Sequence, residues 1–211
     1  LIISICIALF YTYLPLHTQD GPNHNKGALI ISRLAQSPIE STHYQANLGY
    51  FKTNSLYYLA YQPFAGHLKV STYEKIYYAA SIILFLGAYF YFLHVWVPSL
   101  INIWYLVLPI TYHPFFLMGM YNYLGCIGFT FAALALLKQL QLKDSNLLLF
   151  LFAIIHYIAF LAHPFSSLVL ITAALVLWFN DNFKIRPNFF GALTVIALFF
   201  AIGFLWPFFQ V

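Results

Sequence analysis

Apolar residues along this chain fall in long runs separated by short polar stretches. The runs predict seven membrane-crossing helices, at about 1–16, 76–97, 100–117, 121–137, 147–162, 165–179 and 189–211. Several are shorter than the ~20 residues a helix needs to cross ~30 Å of hydrocarbon, so local thinning, tilt or snorkelling ends are expected there. Pro164, in "LAHPFSS", breaks the backbone ladder and predicts that 147–179 divides into two short antiparallel spans. The polar stretch 17–75 is too long for a plain connection and should hold structure of its own. Within it, "KGALIISRLAQS" places Leu29, Ile30, Arg33 and Leu34 at spacings that suit an amphipathic helix lying in the membrane interface. "NSLYYLAYQPFAG" predicts a second, capped by Asn54-Ser55 and ended by Pro63 and Gly66, with Tyr57, Tyr58 and Tyr61 in an interfacial belt. "STYEK" then opens the second span with a capping pattern, Ser71 three residues before Glu74. The expected fold is an all-α polytopic transmembrane helix bundle of about seven spans, a single domain whose long external first loop carries two juxtamembrane helices.

Composition agrees with that class. Of the 211 residues, 63% are hydrophobic, 21% aromatic and only 7% charged, against ~25% charged in soluble domains. The opening run lacks a basic flank and an A-x-A-like site, so a first transmembrane helix is expected rather than a signal peptide. The chain starts without Met and ends in "FLWPFFQV", as expected of the N-terminal part of a larger protein. Cys6 and Cys126 both lie in apolar runs and point to neither a disulfide framework nor a metal site.

Charge sets the orientation. Lys138, Lys143, Lys184 and Arg186 fall in two short loops on one face, which the positive-inside rule assigns to the cytoplasm. The loop 17–75 is then extracytoplasmic. The net charge of +4 is mostly a topology signal, and with no basic stripe interleaved with exposed aromatics a nucleic-acid partner is not expected. The expected partner is the lipid bilayer.

That orientation brings three polar turns to the external side: "HTQDGPNH", "TYHPFFLMGMYN" and "LAHPFSS". They offer Asp20, His24, His113, Asn122 and His163 to one shared site. Asp20 is a candidate catalytic carboxylate, or else a turn former with Gly21-Pro22 that caps the next helix. His24 follows Asp20 by four residues, which a helix would bring together and a Gly-Pro turn would not. His24 is either an interfacial histidine or a ligand for phosphate or metal. A divalent ion is an open option, with Asp20 and His24 as its ligands, although Mg²⁺ or Mn²⁺ would want another carboxylate. His113 and His163 each precede a proline, so each could face a common cavity or bond a carbonyl that the proline frees. Asn122 is a helix cap or a contact for a sugar hydroxyl. Lys26, Arg33 and Lys52 are candidate phosphate contacts, with headgroup snorkelling as the plainer role. His94 and His156, within or near spans, read as interhelical hydrogen-bonding groups. Gly119, Gly125 and Gly128 imply close helix packing near the fourth span. The absence of a Gly-rich phosphate loop and of C-x-x-C and H-E-x-x-H gives soluble-nucleotide kinases and zincins no support.

An acidic residue after the first span, followed by two juxtamembrane helices, resembles the GT-C class of glycosyltransferases. More narrowly, "QDGPNHNKGALIISRL", "STYEKIYYAASIILFLGAYF", "HPFFLMGMYNYLG" and "FLAHPFSS" are similar to an uncharacterised group of bacterial multi-spanning proteins marked by D-G-P-x-H, A-E-K, G-F-Y-N and a later His in a helix turn. The chain departs at Thr72-Tyr73 before Glu74-Lys75 and at Met120, where Phe is usual. "FKTNSLYYL" also resembles the K-P-P-L-x-Y stretch of lipid-linked sugar transferases, without its prolines. The resemblance implies a bacterial inner-membrane enzyme that moves a sugar from a polyprenyl-phosphate donor to an extracytoplasmic acceptor. Asp20 would be the catalytic base, supported by His24, with Lys26, Arg33, Lys52, His113, Asn122 and His163 on the substrate. The rival expectations are a transporter, which should show midplane ionisable groups and an inverted repeat, and a non-catalytic assembly subunit.

Overall fold

The computed structural model describes residues 21–34, 53–112, 120–180 and 186–205, and among these the chain is helical throughout with no strand. Helix α1 spans Gly21–Leu34. A short helix α2, Leu56–Tyr61, runs into a 3-10 turn at Gln62–Phe64. Then come α3 (Val70–Trp96), a 3-10 helix (Pro98–Tyr112), α4 (Tyr121–Leu142), α5 (Asn146–Ala162), α6 (Phe165–Asn180) and α7 (Pro187–Phe200), which ends in a π turn at Ala201–Leu205. Two of them, α3 and α4, are long and apolar enough to cross a membrane, while the remaining apolar helices are shorter.

Cross-helix bonds fix the directions. Tyr121 at the start of α4 donates to Glu74 near the start of α3, and Trp96 Nε1 at the end of α3 donates to the Leu134 carbonyl at 2.9 Å. Helices α3 and α4 therefore run side by side in the same direction, and the 3-10 helix between them makes the return. Pro109 has no N–H and would clash in an α-helix with the carbonyl four residues back, so it interrupts the helical ladder near the end of this segment. The expected α-helical span at 100–117 is replaced by 15 residues of 3-10 helix. At ~2.0 Å per residue they reach ~30 Å, the thickness of the hydrocarbon core.

The remaining helices alternate. Ser145 caps α5 by accepting from Leu148 N, and the other end of α5 returns to α2, where Leu161 O accepts from Ser55 N at 2.9 Å. Helix α6 runs away again until Leu177 O accepts from Gln141 Nε2 at 3.1 Å. Helix α7 starts at that far end, with Asn188 N bonded to Asp144 Oδ1. One end of the bundle thus gathers α1, α2 and the 163–165 turn, while Lys143 and Arg186 lie at the other.

Two cores hold the bundle. Leu137, Leu140, Phe152, Leu170, Leu177 and Ile196 join α4 to α5, α6 and α7. Around α3 the core is instead a cluster of tyrosines: Tyr57, Tyr61, Tyr73, Tyr78 and Tyr121, closed by Ala28 of α1. Tyr57 and Tyr61 are fully buried in it, not half-buried in an interfacial belt as their spacing suggests.

Three local expectations need correction. Helix α1 includes Gly21 and Pro22, so these two residues are helical, while the turn expected with Asp20 lies outside the described residues. Helix α3 begins at Val70 after Lys69, which leaves Ser71 inside the helix and Glu74 buried against Tyr121, with no capping box. Ser55 precedes α2 without a side-chain cap bond, for a reason given below.

Glycine sets the spacing of α3 and α4. A Cβ on Gly128 would lie 2.8 Å from Leu84 Cγ and 3.2 Å from the Phe85 backbone nitrogen, whereas one on Gly87 would meet nothing within 4 Å. Gly128→Ala is expected to lower the unfolding free energy in detergent by about 1–3 kcal/mol. Gly87→Ala should leave it unchanged or raise it by up to ~1 kcal/mol through helix propensity. Denaturant midpoints of the two variants check the pair.

Candidate functional site

A cavity of about 310 Å³, with several polar side chains in a lining that is otherwise mostly apolar, opens at the end of the bundle where α1, α2 and the α5–α6 turn meet. His24 and Tyr58 line one side of it, Asn122, Tyr123 and Met120 the floor, and Asn54 and His163 the remainder. Of the residues singled out from sequence, His24, Asn122 and His163 come together here although they are far apart in the chain. Asp20, Lys52 and His113 lie outside the described residues. Lys26 and Arg33 are exposed on α1, two turns apart, and neither lines the cavity.

His24 sits on the second turn of α1 against three tyrosine rings, with centroids 5.0 Å from Tyr121 and 5.8 Å from both Tyr57 and Tyr58. Its Nδ1 is 2.8 Å from Tyr58 Oη. Burial pushes the Tyr58 phenol above its ordinary pKa, so the hydroxyl keeps its proton at neutral pH. A neutral His24 that accepts this O–H at Nδ1 carries its own proton on Nε2.

Asn122 explains the missing cap of α2. Its Oδ1 accepts from Tyr57 N at 2.8 Å, satisfying a free donor of the first turn, and its Nδ2 donates to Asn54 O at 2.8 Å. The cap of α2 therefore comes from α4. Asn54 adopts a positive φ of 60°, a conformation that asparagine tolerates better than most residues. One side-chain amide thus clips the turn against the bundle, with one N–H and lone-pair capacity left toward the cavity.

His163 forms the α5–α6 turn, where its N–H caps α5 through Ala159 O and its carbonyl accepts from Ser166 N and Oγ. Its Nδ1 accepts from Phe165 N at 3.2 Å, which fixes the neutral tautomer with the proton on Nε2. Tyr123 meets the ring edge-on at 5.6 Å. Burial lowers the His163 pKa below the usual 6.5.

Glu74 escaped notice in the sequence because its spacing from Ser71 fits a cap. It is buried beneath the cavity, and Tyr121, whose ring packs on His24, donates to its Oε1. Only a tyrosine pattern around an acidic residue at a helix start could have marked it. His156 is also buried, near Ser167 Oγ at 3.5 Å, and His94 is exposed at the end of α3. Among the described residues no three His, Cys, Asp or Glu side chains lie together as a metal site. His24 is the single described member of the expected metal pair, and its Nδ1 is engaged by Tyr58.

No protein-family model matches this chain, and neither curated proteins nor solved structures yield a match.

Two outcomes follow from the site. Asn122→Ala should leave Tyr57 N and Asn54 O unpaired at about 1–3 kcal/mol each, and hydrogen exchange should quicken across 53–61 while α5 stays protected. His163 should titrate by NMR with a midpoint below 6.5. Because the folded state then binds fewer protons than the unfolded chain, stability should fall as pH drops below ~6.5 and be unaffected above it. A midpoint at or above 6.5 would contradict the buried, neutral assignment.

Proposed function

We propose that this protein is a membrane glycosyltransferase of the GT-C type, which moves a sugar from a polyprenyl-phosphate donor to an acceptor hydroxyl on the extracytoplasmic side. The observation that carries the reading is the cavity at one end of an apolar bundle, lined by His24, which follows Asp20 by four residues in the sequence. A cavity so placed suits a substrate whose head is polar and whose tail is hydrocarbon. In this reaction the acceptor oxygen attacks the anomeric carbon, the bond from that carbon to the phosphate oxygen breaks, and polyprenyl phosphate leaves with the bonding pair. Asp20 takes the proton of the acceptor hydroxyl, and its charge favours the oxocarbenium-like sugar. His163, with its proton on Nε2, acts as a donor to sugar or phosphate oxygens, and His24 offers its second ring nitrogen to them. Lys26, Arg33 and Lys52 meet the phosphate as it enters or leaves. No step is assigned to a metal ion, because the described residues supply one imidazole toward it.

A transporter is less well supported, since the cavity that gathers polar side chains lies at the end of the helices. A non-catalytic assembly subunit would make Asp20 dispensable. Membranes containing the full-length protein or its Asp20→Asn variant, supplied with a panel of labelled polyprenyl-phosphate sugars, separate these readings. The variant should transfer about 10²- to 10⁴-fold more slowly with donor binding and protein level retained. Equal transfer by both proteins would remove Asp20 from the chemistry.

A further inference from the structure

The cavity does not end at its floor. Tyr123, which lines it, also lines a second and nearly apolar space of about 190 Å³ between α4 and α6, with Cys126 and Thr130 on one wall and Phe165 on the other. That space shares Leu134, Phe165 and Val169 with a third, about 470 Å³, which reaches Trp96 and Val176. Three neighbouring spaces that share lining residues thus follow one another from a histidine-lined mouth down the α4–α6 seam, and the polar side chains on their walls are concentrated at the mouth.

The length of this path has physical meaning. From Tyr123 to Leu134 on α4, and from Phe165 to Val176 on α6, the path follows eleven residues on each wall, or ~16 Å at ~1.5 Å per residue. This is about half of the ~30 Å hydrocarbon core, so a path that starts at one interface stops near the bilayer midplane. Small and slender side chains, Cys126, Thr130, Thr172 and Ala173, line it, and Phe92 and Trp96 of α3 line its lower part.

We infer that this groove holds the hydrocarbon chain of a single lipid whose polar head sits between His24 and His163. An apolar helix or a second copy of this chain would cover the lower groove and leave the polar mouth unused, whereas an amphiphile matches both ends. The inference rests on reading the cavity as a headgroup site and does not require sugar transfer. Mouth donors such as the His163 Nε2–H suit an anionic phosphate head. The chain lies along one leaflet with its first segment beside Tyr123 and a later segment beside Trp96.

The test uses full-length protein in phosphatidylcholine nanodiscs and a farnesyl phosphate that carries a diazirine on its last isoprene unit. Photolabelling should fall on α4 near Leu134 or on α6 between Val169 and Val176, as mapped by peptide mass spectrometry. Thr172→Trp and Val176→Trp place bulk in the groove from exposed positions and should each reduce labelling at least ~10-fold. Leu175→Trp, exposed on the same helix but outside the groove, should leave labelling unchanged and shows that a tryptophan on α6 is tolerated. Unlabelled farnesyl phosphate should compete and farnesol should compete poorly. Competition by dodecyl phosphate as well would broaden the chain type to any slender hydrocarbon, and competition by farnesyl phosphate alone would restrict it to isoprenoids; either upholds the site. Labels spread over the outer faces of α5 and α7, or labelling indifferent to both groove variants, would overturn it as contact with bulk lipid. Because the readout is binding, Asp20→Asn should label normally, so a failed transferase reading and a failed groove give different results.

Discussion

The turn at 53–56 must have its backbone polar groups satisfied by other parts of the protein, and the site depends on how that is done. In or beside a bilayer there is little water to bond a loose N–H or C=O, so an irregular turn survives only where neighbouring elements complete it. Here Asn122 of α4 supplies an acceptor for Tyr57 N and a donor for Asn54 O, while Leu161 at the end of α5 accepts from Ser55 N. Three helices are tied at one point. The tie brings Tyr58 beside His24 and holds the mouth of the cavity open between α1 and the α5–α6 turn.

Beneath that mouth the packing is unusual for an apolar bundle, because tyrosines fill space that leucine would fill elsewhere. Four of their hydroxyls find partners across elements: Tyr73 donates to Tyr57 O, Tyr57 to Asn25 Oδ1, Tyr61 to Leu68 O and Tyr121 to Glu74, whereas the buried Tyr77 hydroxyl packed among these rings has no partner among the described residues. Directional bonds of this kind specify one arrangement more sharply than aliphatic contacts do. They also give the buried Glu74 side chain a partner, because the Tyr121 hydroxyl donates to its Oε1. Tyr121 bonds Glu74 and packs on His24, so one ring links the imidazole to the buried acid.

Much of the helical layout was legible because hydrocarbon imposes a simple pattern. The apolar runs near 76–97, 121–137, 147–162 and 165–179 correspond to α3, α4, α5 and α6 within a few residues, and Pro164 divides α5 from α6 as its chemistry demands. Helix type was not legible at 98–112, where an apolar run is equally compatible with α and 3-10 geometry. The cavity could be foreseen in part: His24, Asn122 and His163 were singled out as turn residues on one side, and they meet there. What could not be foreseen were contacts set by tertiary packing. Glu74 matched a capping motif three residues from Ser71, yet burial against Tyr121 outweighed that local bond, and Asn122 capped a helix 65 residues away instead of its own. Short motifs report local backbone geometry and say nothing of a partner from a distant helix.

The account's central claim is that the cavity and the basic loops lie at opposite ends of a bundle that crosses the membrane. Labelling by a membrane-impermeant maleimide tests it most directly, in a full-length protein whose native cysteines are replaced and which carries a single cysteine in turn at exposed His67→Cys, Lys143→Cys or Arg186→Cys. The account predicts that His67→Cys reacts in intact cells, while Lys143→Cys and Arg186→Cys react only after the membrane is opened. Reaction of all three from the same side would contradict the alternating bundle and the separate site at its outer end.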